Sequence, residues 1–367
     1  MKHIALVSNS FGSLYNFRYE LIMELLDRGY KVTLVTPMEL DEYQLFQVFK
    51  DKGCQIVETP FKRRGTNPLA DLSLYKGYVK ILKEIKPDLV ITYTIKPNVY
   101  CGQAAAKLRI PYFANVTGLG TAFQKDGLIK KVSVFLYKKG VKKANVLFFQ
   151  NAESQNVFES LGIKAGKYRL LPGSGINLNR FEYKDYPENT CTFLYVARIQ
   201  RDKGADEFMY AARKLKEEYN DISFDVVGSL TEEYEDAFKN MEKEGIVKLY
   251  GWRSDTEKFF EKCNCVVQPS YHEGMSNVCL EAAATGRPLL ASDIPGCREA
   301  VVDGQSGYTF KVKDKDALLE SMRKFMKLTS DEQKEMGIKG RQHIEKNFDR
   351  KLVVDIFINE IQEVTGR

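Results

Sequence analysis

The strongest constraint on the fold is a regular alternation of short apolar runs with amphipathic stretches of helical length. Residues 4–7, 31–36 and 88–92 are predicted as strands, and the stretches between them place apolar residues at helical spacing, first at 17–28. Near-continuous apolar strands separated by helices are typical of a parallel sheet with helices on both faces. The sequence therefore predicts an α/β fold.

The alternation runs twice along the 367 residues, which indicates two domains. The stretch 171–186 is rich in Gly, Asn and Pro and is predicted as a linker, after which a new series of strands and helices begins. We expect Rossmann-like domains at 1–175 and 176–348, and a terminal helix at 349–367 that packs back on the first domain. Because open parallel sheets bind ligands at the carboxyl ends of their strands, we expect the two domains to face each other across a ligand-binding cleft.

The two halves of the chain carry opposite net charge. Residues 1–180 hold 27 basic and 14 acidic side chains, whereas residues 181–367 hold 28 basic and 35 acidic ones. The overall charge of +6 at pH 7 therefore conceals a difference of sign between the predicted domains. This asymmetry indicates that the two domains face different surroundings.

Composition and motifs argue against several classes of protein. No apolar run reaches the roughly 18–20 residues that span a bilayer, and the apolar stretch at 4–7 is shorter than a signal peptide requires. The seven Cys form no CxxC pair, which favours reduced thiols, and three His leave little material for a His-based metal site. Neither the dinucleotide motif G-x-G-x-x-G nor the P-loop motif is present.

One loop and helix start in the second half favour binding of a phosphorylated sugar. Glu273 and Gly274 follow a predicted strand, and Ser276 or Asn277 is a suitable N-cap for the next helix. The free N–H groups of a helix N-terminus attract anions, and Gly274 lets the backbone approach a ligand closely. Carboxylates only accept hydrogen bonds, so Glu273 and Glu281 suit sugar hydroxyls.

Two further loops follow predicted strands in the same half. Arg198 and Lys203 stand five residues apart, where a guanidinium fork and an ammonium group can together hold a diphosphate. Gly204 begins the next helix. The loop Gly251-Trp252-Arg253 contains the single Trp and offers backbone groups to the edge of a nucleobase.

With these residues in this order, the chain resembles the family-4 glycosyltransferases of the B-type fold, which consists of two facing Rossmann-like domains. The resemblance covers essentially the whole chain and rests on an E-x7-E motif (Glu273, Glu281) and an R-x4-K-G motif (Arg198, Lys203, Gly204). It implies a retaining hexosyltransferase that needs no metal and no cofactor. It also implies three catalytic residues, with Glu273 on the donor sugar and Arg198 and Lys203 on its diphosphate.

The resemblance implies the remaining donor contacts as well. Glu281 would bind the ribose and the loop at 251–253 would bind uracil, so the implied donor is a UDP-sugar. Gly12 would face the diphosphate from the other domain. The full set of implied donor-binding residues is Gly12, Gly251, Trp252, Arg253, Gly274, Met275, Ser276, Asn277 and Glu281.

Three motifs in the first half are similar to those of bacterial enzymes that build lipid-linked glycans, including those that add N-acetylgalactosamine to diacetylbacillosaminyl-diphospho-undecaprenol. The motifs are SLYNFR at 13–18, TIKPN at 94–98 and NVTGLG at 115–120. They imply a hexose or N-acetylhexosamine donor and a polyprenyl-diphosphate-linked saccharide as acceptor. The acceptor-binding residues so implied are Tyr15, Arg18, Lys96, Asn98, Thr117 and Gly118. Many relatives carry His or Glu where this chain has Thr117, which favours a mechanism in which the leaving phosphate takes the acceptor proton.

The stretch 124–143 interleaves apolar residues with lysines in the pattern of an amphipathic basic helix. Such a helix can lie on an anionic bilayer, and the basic loop at 61–64 has the same sign. The residues expected at the membrane are Lys130, Lys131, Phe135, Lys138 and Lys139. The alternative is a helix packed on the core with a solvated basic face. We expect a cytoplasmic protein that is peripheral on the inner face of the cell membrane.

Two other functions are compatible with parts of the sequence. A UDP-sugar epimerase or hydrolase would share the fold but needs His and carboxylates for acid–base work, and His is scarce. A nucleic-acid-binding module would use the basic half, but its aromatic residues form no stacking pattern, so we expect no nucleic-acid partner. Asp314 and Asp316 form a D-x-D pattern just before a predicted helix, which we interpret as a helix cap and not as a metal site.

Overall fold

The computed structural model describes residues 1–37, 43–59, 68–119, 123, 127–188 and 191–366. They form two compact units. The N-terminal domain comprises Met1–Ser174 together with Lys351–Arg367, and the C-terminal domain comprises Gly175–Arg350. The basic loop predicted at 61–64 lies outside the described residues, as do Gly120 and the start of the basic stretch at 124–126.

The N-terminal domain, in its described residues, is built on a seven-stranded parallel sheet. The strands are β1 (His3–Val7), β2 (Lys31–Thr36), β3 (Gln55–Glu58), β4 (Leu89–Tyr93), β5 (Tyr112–Val116), β6 (Val146–Phe149) and β7 (Tyr168–Leu170). Their order in the sheet is β3-β2-β1-β4-β5-β6-β7. Strands β1, β4 and β5 are buried along their whole length, as expected where helices cover both faces.

Helices connect these strands throughout the described part of the domain. They are α1 (Phe11–Asp27), α2 (Tyr43–Asp51), α3 (Pro68–Ile85), α4 (Gly102–Leu108), α5 (Leu128–Val141) and α6 (Ala152–Ser160). A π-helical turn, Pro97–Cys101, precedes α4. Because the strands and helices alternate, every strand of the sheet can run in the same direction.

The predicted start of the first helix is wrong. Helix α1 begins at Phe11 and not at residue 17, because Phe11 and Leu14 are buried and extend the apolar stripe that continues at Leu21. The glycine and serine between Phe11 and Leu14 are weak helix formers and conceal this stripe in the sequence. Gly12 therefore lies in the first turn of α1.

The C-terminal domain repeats the architecture with a six-stranded parallel sheet in its described residues. The strands are β8 (Cys191–Val196), β9 (Ile222–Val227), β10 (Lys248–Leu249), β11 (Cys265–Gln268), β12 (Leu289–Ser292) and β13 (Gly307–Phe310), in the order β10-β9-β8-β11-β12-β13. The helices are α7 (Ala205–Glu218), α8 (Glu232–Lys243), α9 (Glu257–Lys262), α10 (Asn277–Ala284), α11 (Lys315–Met326) and α12 (Ser330–Phe348). Both sheets have the strand order of a Rossmann fold.

The last helix, α13 (Arg350–Thr365), belongs to the N-terminal domain. The ring of Phe357 lies 4.4 Å from that of Phe148 on β6. Glu360 is buried and accepts hydrogen bonds from Lys167 at 2.8 Å and from Arg169 at 2.5 Å. An apolar contact and a paired buried carboxylate thus fix the helix to the sheet of this domain.

No helix in the described part of the chain is long and apolar enough to cross a membrane. The seven cysteines are free thiols. Cys263 and Cys265 are buried beside and within β11 and pack in the core.

Candidate active site

The two motifs that are predicted to bind the donor follow neighbouring strands at the switch point of the C-terminal sheet. Strands β8 and β11 pair in parallel, and the strands that follow each of them lie on opposite sides. Arg198 comes directly after β8, and Glu273 comes shortly after β11. Open α/β sheets bind their ligands at the carboxyl ends of strands at such a point. The fold thus brings two motifs that are 70 residues apart into contact.

The turn that carries Lys203 is locked against the loop after β11. Residues Arg201–Lys203 form a 3₁₀ turn, and Gly204, with φ at +76°, precedes α7. A Cβ atom on Gly204 would stand 2.1 Å from the carbonyl oxygen of Pro269. Glycine adopts this left-handed backbone angle without strain and has no Cβ atom to clash with Pro269, which explains its place in the motif.

Lys203 and Glu273 form an ion pair. The distance from Lys203 Nζ to Glu273 Oε1 is 2.6 Å, and the two side chains are 24% and 15% exposed. Gln268 Nε2 donates to the same carboxylate oxygen at 3.3 Å. Within the described residues, no hydrogen bond engages Glu273 Oε2, so this oxygen is available to accept one from a ligand.

Arg198 presents an unengaged guanidinium in the same connection between β8 and α7. Its side chain is exposed, and no described residue forms an ion pair or hydrogen bond with it. An arginine without a protein partner keeps its planar set of donors free for a phosphate or carboxylate group. The two cations of the predicted diphosphate site therefore differ, because Lys203 is paired, whereas Arg198 has no partner among the described residues.

The start of α10 presents backbone N–H groups beside Glu273. Ser276 is the N-cap, which confirms one of the two predicted caps, and its Oγ accepts from Cys279 N at 3.3 Å. Ser276 N donates to Gly296 O at 2.7 Å, and Met275 is buried, so this turn is anchored on its inner side. An anchored helix start of this kind favours a bound anion.

Glu281 lies on α10, eight residues after Glu273, in surroundings that disfavour its charge. Burial raises the pKa of this carboxyl group to about 7, although Arg180 and Arg350 act in the opposite direction. No hydrogen bond from a described residue satisfies its carboxylate oxygens. A partly buried carboxylate without donors is a suitable partner for ligand hydroxyl groups.

Replacing Glu281 is expected to stabilise the ligand-free protein in a pH-dependent manner. The pKa is about 7 in the folded protein and near its ordinary value of 4.5 in the unfolded chain, so wild-type stability falls as pH rises through this window. Glu281→Gln carries no charge and should gain about 3 kcal/mol over wild type at pH 8, but less than about 0.5 kcal/mol at pH 4.5. Chemical denaturation at both pH values measures this, and an equal difference at the two would contradict it.

The loop predicted to hold uracil is exposed. Gly251 has φ at +65°, and its carbonyl oxygen accepts from Gly228 N at 2.7 Å. Trp252 is 74% exposed. Arg253 donates twice to Asp255 at 2.9 Å, which lowers the pKa of that carboxyl group. The backbone of this loop is therefore ordered by its own contacts, and its role toward a base stays a prediction.

Four of the predicted acceptor residues lie near the domain surface. Lys96 pairs with Asp71 at 3.2 Å. The ring of Tyr15 contacts that of Phe49 edge-on, with centroids 6.0 Å apart. Thr117 follows β5 and is half-buried, as is the adjacent Gly118. Their contacts with an acceptor stay predictions.

Asn98 and Arg18 are instead buried within the N-terminal domain. Asn98 accepts from the Thr92 hydroxyl at 2.7 Å and donates to Asn115 O at 2.8 Å, so its amide holds the ends of β4 and β5 together. The guanidinium of Arg18 lies 4.5 Å from the centre of the Tyr93 ring. Both side chains are buried in this structure, and their contacts with an acceptor stay predictions.

Three residues of the site have no counterpart in the sequence predictions. Gly296 has φ at +86°, and a Cβ atom there would stand 2.9 Å from the Glu273 carbonyl oxygen. The Pro-Gly dipeptide at 295–296 is the sequence signal for this turn. Tyr271 donates to Glu207 at 2.8 Å, and this contact between positions 64 apart leaves no local pattern.

The exposed face of α5 combines apolar and basic side chains. Leu128, Ile129 and Phe135 are 77%, 70% and 55% exposed. Lys131, Lys138 and Lys139 are also exposed, and α5 contains no acidic residue. The opposite face is buried through Tyr137, Gly140 and Val141. The helix is therefore packed on the core and also displays an apolar, basic surface.

Among the described residues, no group of three or more His, Cys, Asp or Glu side chains is arranged to hold a metal ion. Asp314 is the N-cap of α11 and accepts from Ala317 N at 3.0 Å, while Asp316 accepts from Tyr210 at 2.9 Å. The interpretation of the D-x-D pattern as a helix cap is confirmed. Independence of a metal stays a prediction.

Comparison with known proteins identifies the class to which this site belongs. The chain matches the family model for group 1 glycosyl transferases at residues 179–343 and a glycosyl transferase 4-like model at residues 3–151. The N,N'-diacetylbacillosaminyl-diphospho-undecaprenol alpha-1,3-N-acetylgalactosaminyltransferase of Campylobacter jejuni is 31% identical over 87% of this chain and 88% of its own length. The chain therefore belongs to the group 1 glycosyltransferases.

Further comparisons agree with this assignment. The UDP-Gal:alpha-D-GlcNAc-diphosphoundecaprenol alpha-1,3-galactosyltransferase of Escherichia coli is 25% identical over 75% of each chain. The structure of Anabaena HepE with UDP and glucose superimposes with a TM-score of 0.79 at 18% identity, over 99% of this chain and 100% of that one. Sucrose-phosphate synthase from Thermosynechococcus elongatus gives a TM-score of 0.79 at 16% identity over both full chains. These neighbours confirm the predicted B-type glycosyltransferase fold.

Proposed function

We propose that this glycosyltransferase moves a hexose or N-acetylhexosamine from a UDP-sugar to a polyprenyl-diphosphate-linked saccharide, with retention, in the assembly of bacterial surface glycans. The placement of Arg198, Lys203 and Glu273 at the switch point of the C-terminal sheet carries the donor part of the proposal. The Campylobacter and E. coli relatives support the acceptor part, because the names of both specify a diphospho-undecaprenol-linked sugar. Both names also specify an alpha linkage, which supports retention from an α-linked donor.

The site supplies positive charge where the reaction develops negative charge. As the bond between the sugar C1 and the phosphate oxygen breaks, the departing UDP gains charge. Arg198, Lys203 and the N–H groups at the start of α10 would stabilise it. Glu273 Oε2 would accept a hydroxyl group of the donor sugar. Thr117 offers no base, so in this proposal a phosphate oxygen of UDP takes the acceptor proton on the face where the acceptor attacks.

Glu281 would bind the ribose of the donor. Two ribose hydroxyl groups would donate to a carboxylate that lacks donors in the free protein. Hydrogen bonds to the charged form lower a carboxyl pKa, so UDP binding should lower the pKa of Glu281 from about 7. Binding near neutral pH should therefore release a proton.

The test of the proposed reaction is UDP release from a panel of UDP-hexoses and UDP-N-acetylhexosamines, with and without a short polyprenyl-diphosphate saccharide. We expect release that depends on the acceptor, a product with α configuration by NMR, and unchanged rates in excess EDTA. Donor consumption without acceptor would indicate an epimerase or hydrolase instead. No product from any donor with the lipid-linked acceptor would contradict the proposal.

We further propose that the exposed face of α5 binds the anionic inner surface of the cell membrane, where a polyprenyl-linked acceptor resides. The N-terminal domain holds 28 basic and 17 acidic residues, against 27 and 32 in the C-terminal domain. On α5, exposed apolar side chains stand among exposed lysines, as Leu128, Ile129 and Lys131 illustrate. This combination suits insertion of apolar groups between anionic lipid headgroups.

Removing charge from α5 should weaken membrane binding. Each lysine near an anionic surface contributes about 1 kcal/mol, so Lys131, Lys138 and Lys139 changed together to Gln should lower the partition coefficient by about 10²-fold. Flotation with vesicles that contain anionic lipid measures this. The matched control changes three exposed lysines of the C-terminal domain, Lys243, Lys334 and Lys346, to Gln. Equal losses in the two triple variants would contradict docking through α5.

A further inference from the structure

The loop that carries Glu273 is tied to α7 by a contact between a tyrosine and a buried carboxylate. Tyr271 Oη donates to Glu207 Oε1 at 2.8 Å and lies 3.0 Å from Oε2. Glu207 is 7% exposed and stands in the first turn of α7, where the helix dipole favours a negative charge. The backbone N–H of Tyr271 also donates to Asp202 O at 2.9 Å. Both bonds run from one donor motif to the other.

The tyrosine and the carboxylate lie close in sequence to the two members of the Lys203–Glu273 ion pair. Tyr271 stands two residues before Glu273, and Glu207 stands four residues after Lys203. The ammonium group of Lys313 lies 5.0 Å from the centre of the Tyr271 ring, so the ring has a cation beside it in addition to the bond from its hydroxyl. Tyr271 therefore contributes a direct contact between the loop that carries Glu273 and α7.

We propose that Tyr271 and Glu207 are positioning residues that fix the geometry of Lys203 and Glu273 for sugar transfer. The inference rests on the proposed donor site, because it assigns the pair no contact with substrate. Without the hydroxyl of Tyr271, the Glu273 loop is released from α7 on one side. The ion pair then samples separations that are unsuited to the transition state. Misplacement of reacting groups by about 1 Å can lower a rate by about 10²-fold.

The chain offers a closely matched control. Tyr234 Oη donates to Asp206 Oδ1 at 3.0 Å, so the residue next to Glu207 receives an equivalent bond from another tyrosine. Tyr234 belongs to α8 and makes no bond to the Glu273 loop among the described residues. Tyr234→Phe therefore removes a similar tyrosine–carboxylate bond from the same helix turn without releasing that loop.

The test compares kcat and the donor KM from UDP release in Tyr271→Phe and Tyr234→Phe. Tyr271→Phe should lower kcat by about 10- to 100-fold and change the donor KM by less than about threefold. Glu207→Gln keeps an acceptor for the hydroxyl and should retain most of the kcat, whereas Glu207→Ala should behave like Tyr271→Phe. A kcat in Tyr271→Phe that matches that of Tyr234→Phe would overturn the inference.

Amide hydrogen exchange in the peptide 269–277 gives a second measurement that does not depend on turnover. Exchange there should be faster in Tyr271→Phe than in wild type and unchanged in Tyr234→Phe. Unchanged exchange in Tyr271→Phe would overturn the positioning role even if kcat fell. A wild-type protein that transfers no sugar to the lipid-linked acceptor would contradict the proposed function, while the exchange data would still decide whether Tyr271 fixes the loop.

Discussion

Arg198→Ala is expected to lower kcat by about 10²–10³-fold, the usual effect of removing one preorganised donor that stabilises developing charge. The guanidinium is exposed and has no partner among the described residues, so its loss removes no contact that supports the fold. The free energy of unfolding should therefore change by less than about 0.5 kcal/mol. UDP release at saturating donor, together with chemical denaturation, measures both quantities.

Arg201→Ala is the matched control for this substitution. Arg201 lies three residues from Arg198 in the same connection, but its guanidinium pairs with Glu233 at 3.1 Å and with Asp206 at 3.7 Å. The Arg201 guanidinium is thus already paired with carboxylates of α7 and α8. We expect kcat of Arg201→Ala within about twofold of wild type, because exposed ion pairs contribute little. If the two arginine variants lose activity equally, Arg198 has no special place in the donor site.

Gly204→Ala is expected to destabilise the protein and abolish donor binding. The residue has φ at +76°, which disfavours a side chain by about 1–2 kcal/mol. In addition, the new Cβ atom would stand 2.1 Å from the Pro269 carbonyl oxygen, so the backbone of one donor loop must move away from the other. Together these effects should lower the free energy of unfolding by at least about 3 kcal/mol.

Gly245→Ala separates the cost of the backbone angle from the cost of the clash with the Pro269 carbonyl oxygen. Gly245 follows α8 with φ at +72°, close to the angle of Gly204, and a Cβ atom there would meet no atom within 4 Å. The free energy of unfolding of this variant should fall only by the cost of the backbone angle, about 1–2 kcal/mol, and its activity should equal that of wild type. If Gly204→Ala is no less stable than Gly245→Ala and still binds UDP, the two donor loops do not depend on their close approach.

The alternation of apolar runs was sufficient to predict the layout of both domains, because each buried strand needs a covering helix. It failed where an element is short or highly charged. Helix α8 was not predicted because its sequence is highly charged and only Tyr234, Phe238 and Met241 are buried. The edge strand β13 is four residues long and gives no distinctive apolar run. Strand β7 and helix α9 were missed for the same reasons.

The proposed donor site could be outlined from the sequence because its two motifs are local patterns that each follow a strand. The contacts between the motifs were not, because they depend on which strands lie side by side. The Lys203–Glu273 ion pair joins positions 70 apart. Asn98 shows a related difficulty, since a polar residue that the sequence suggests as a ligand contact is buried between two strand ends and holds them together. Sequence alone does not distinguish a polar residue that binds from one that holds the backbone.

UDP binding to the full chain, measured by calorimetry, tests most directly whether the switch point of β8 and β11 holds the diphosphate of the donor. Wild type should bind one UDP, and Lys203→Ala should bind it about 10- to 100-fold more weakly, as expected for loss of a charge-assisted contact. Arg201→Ala should bind like wild type. Equal UDP affinity in Lys203→Ala and wild type, or no binding by wild type, would contradict a diphosphate site at this switch point.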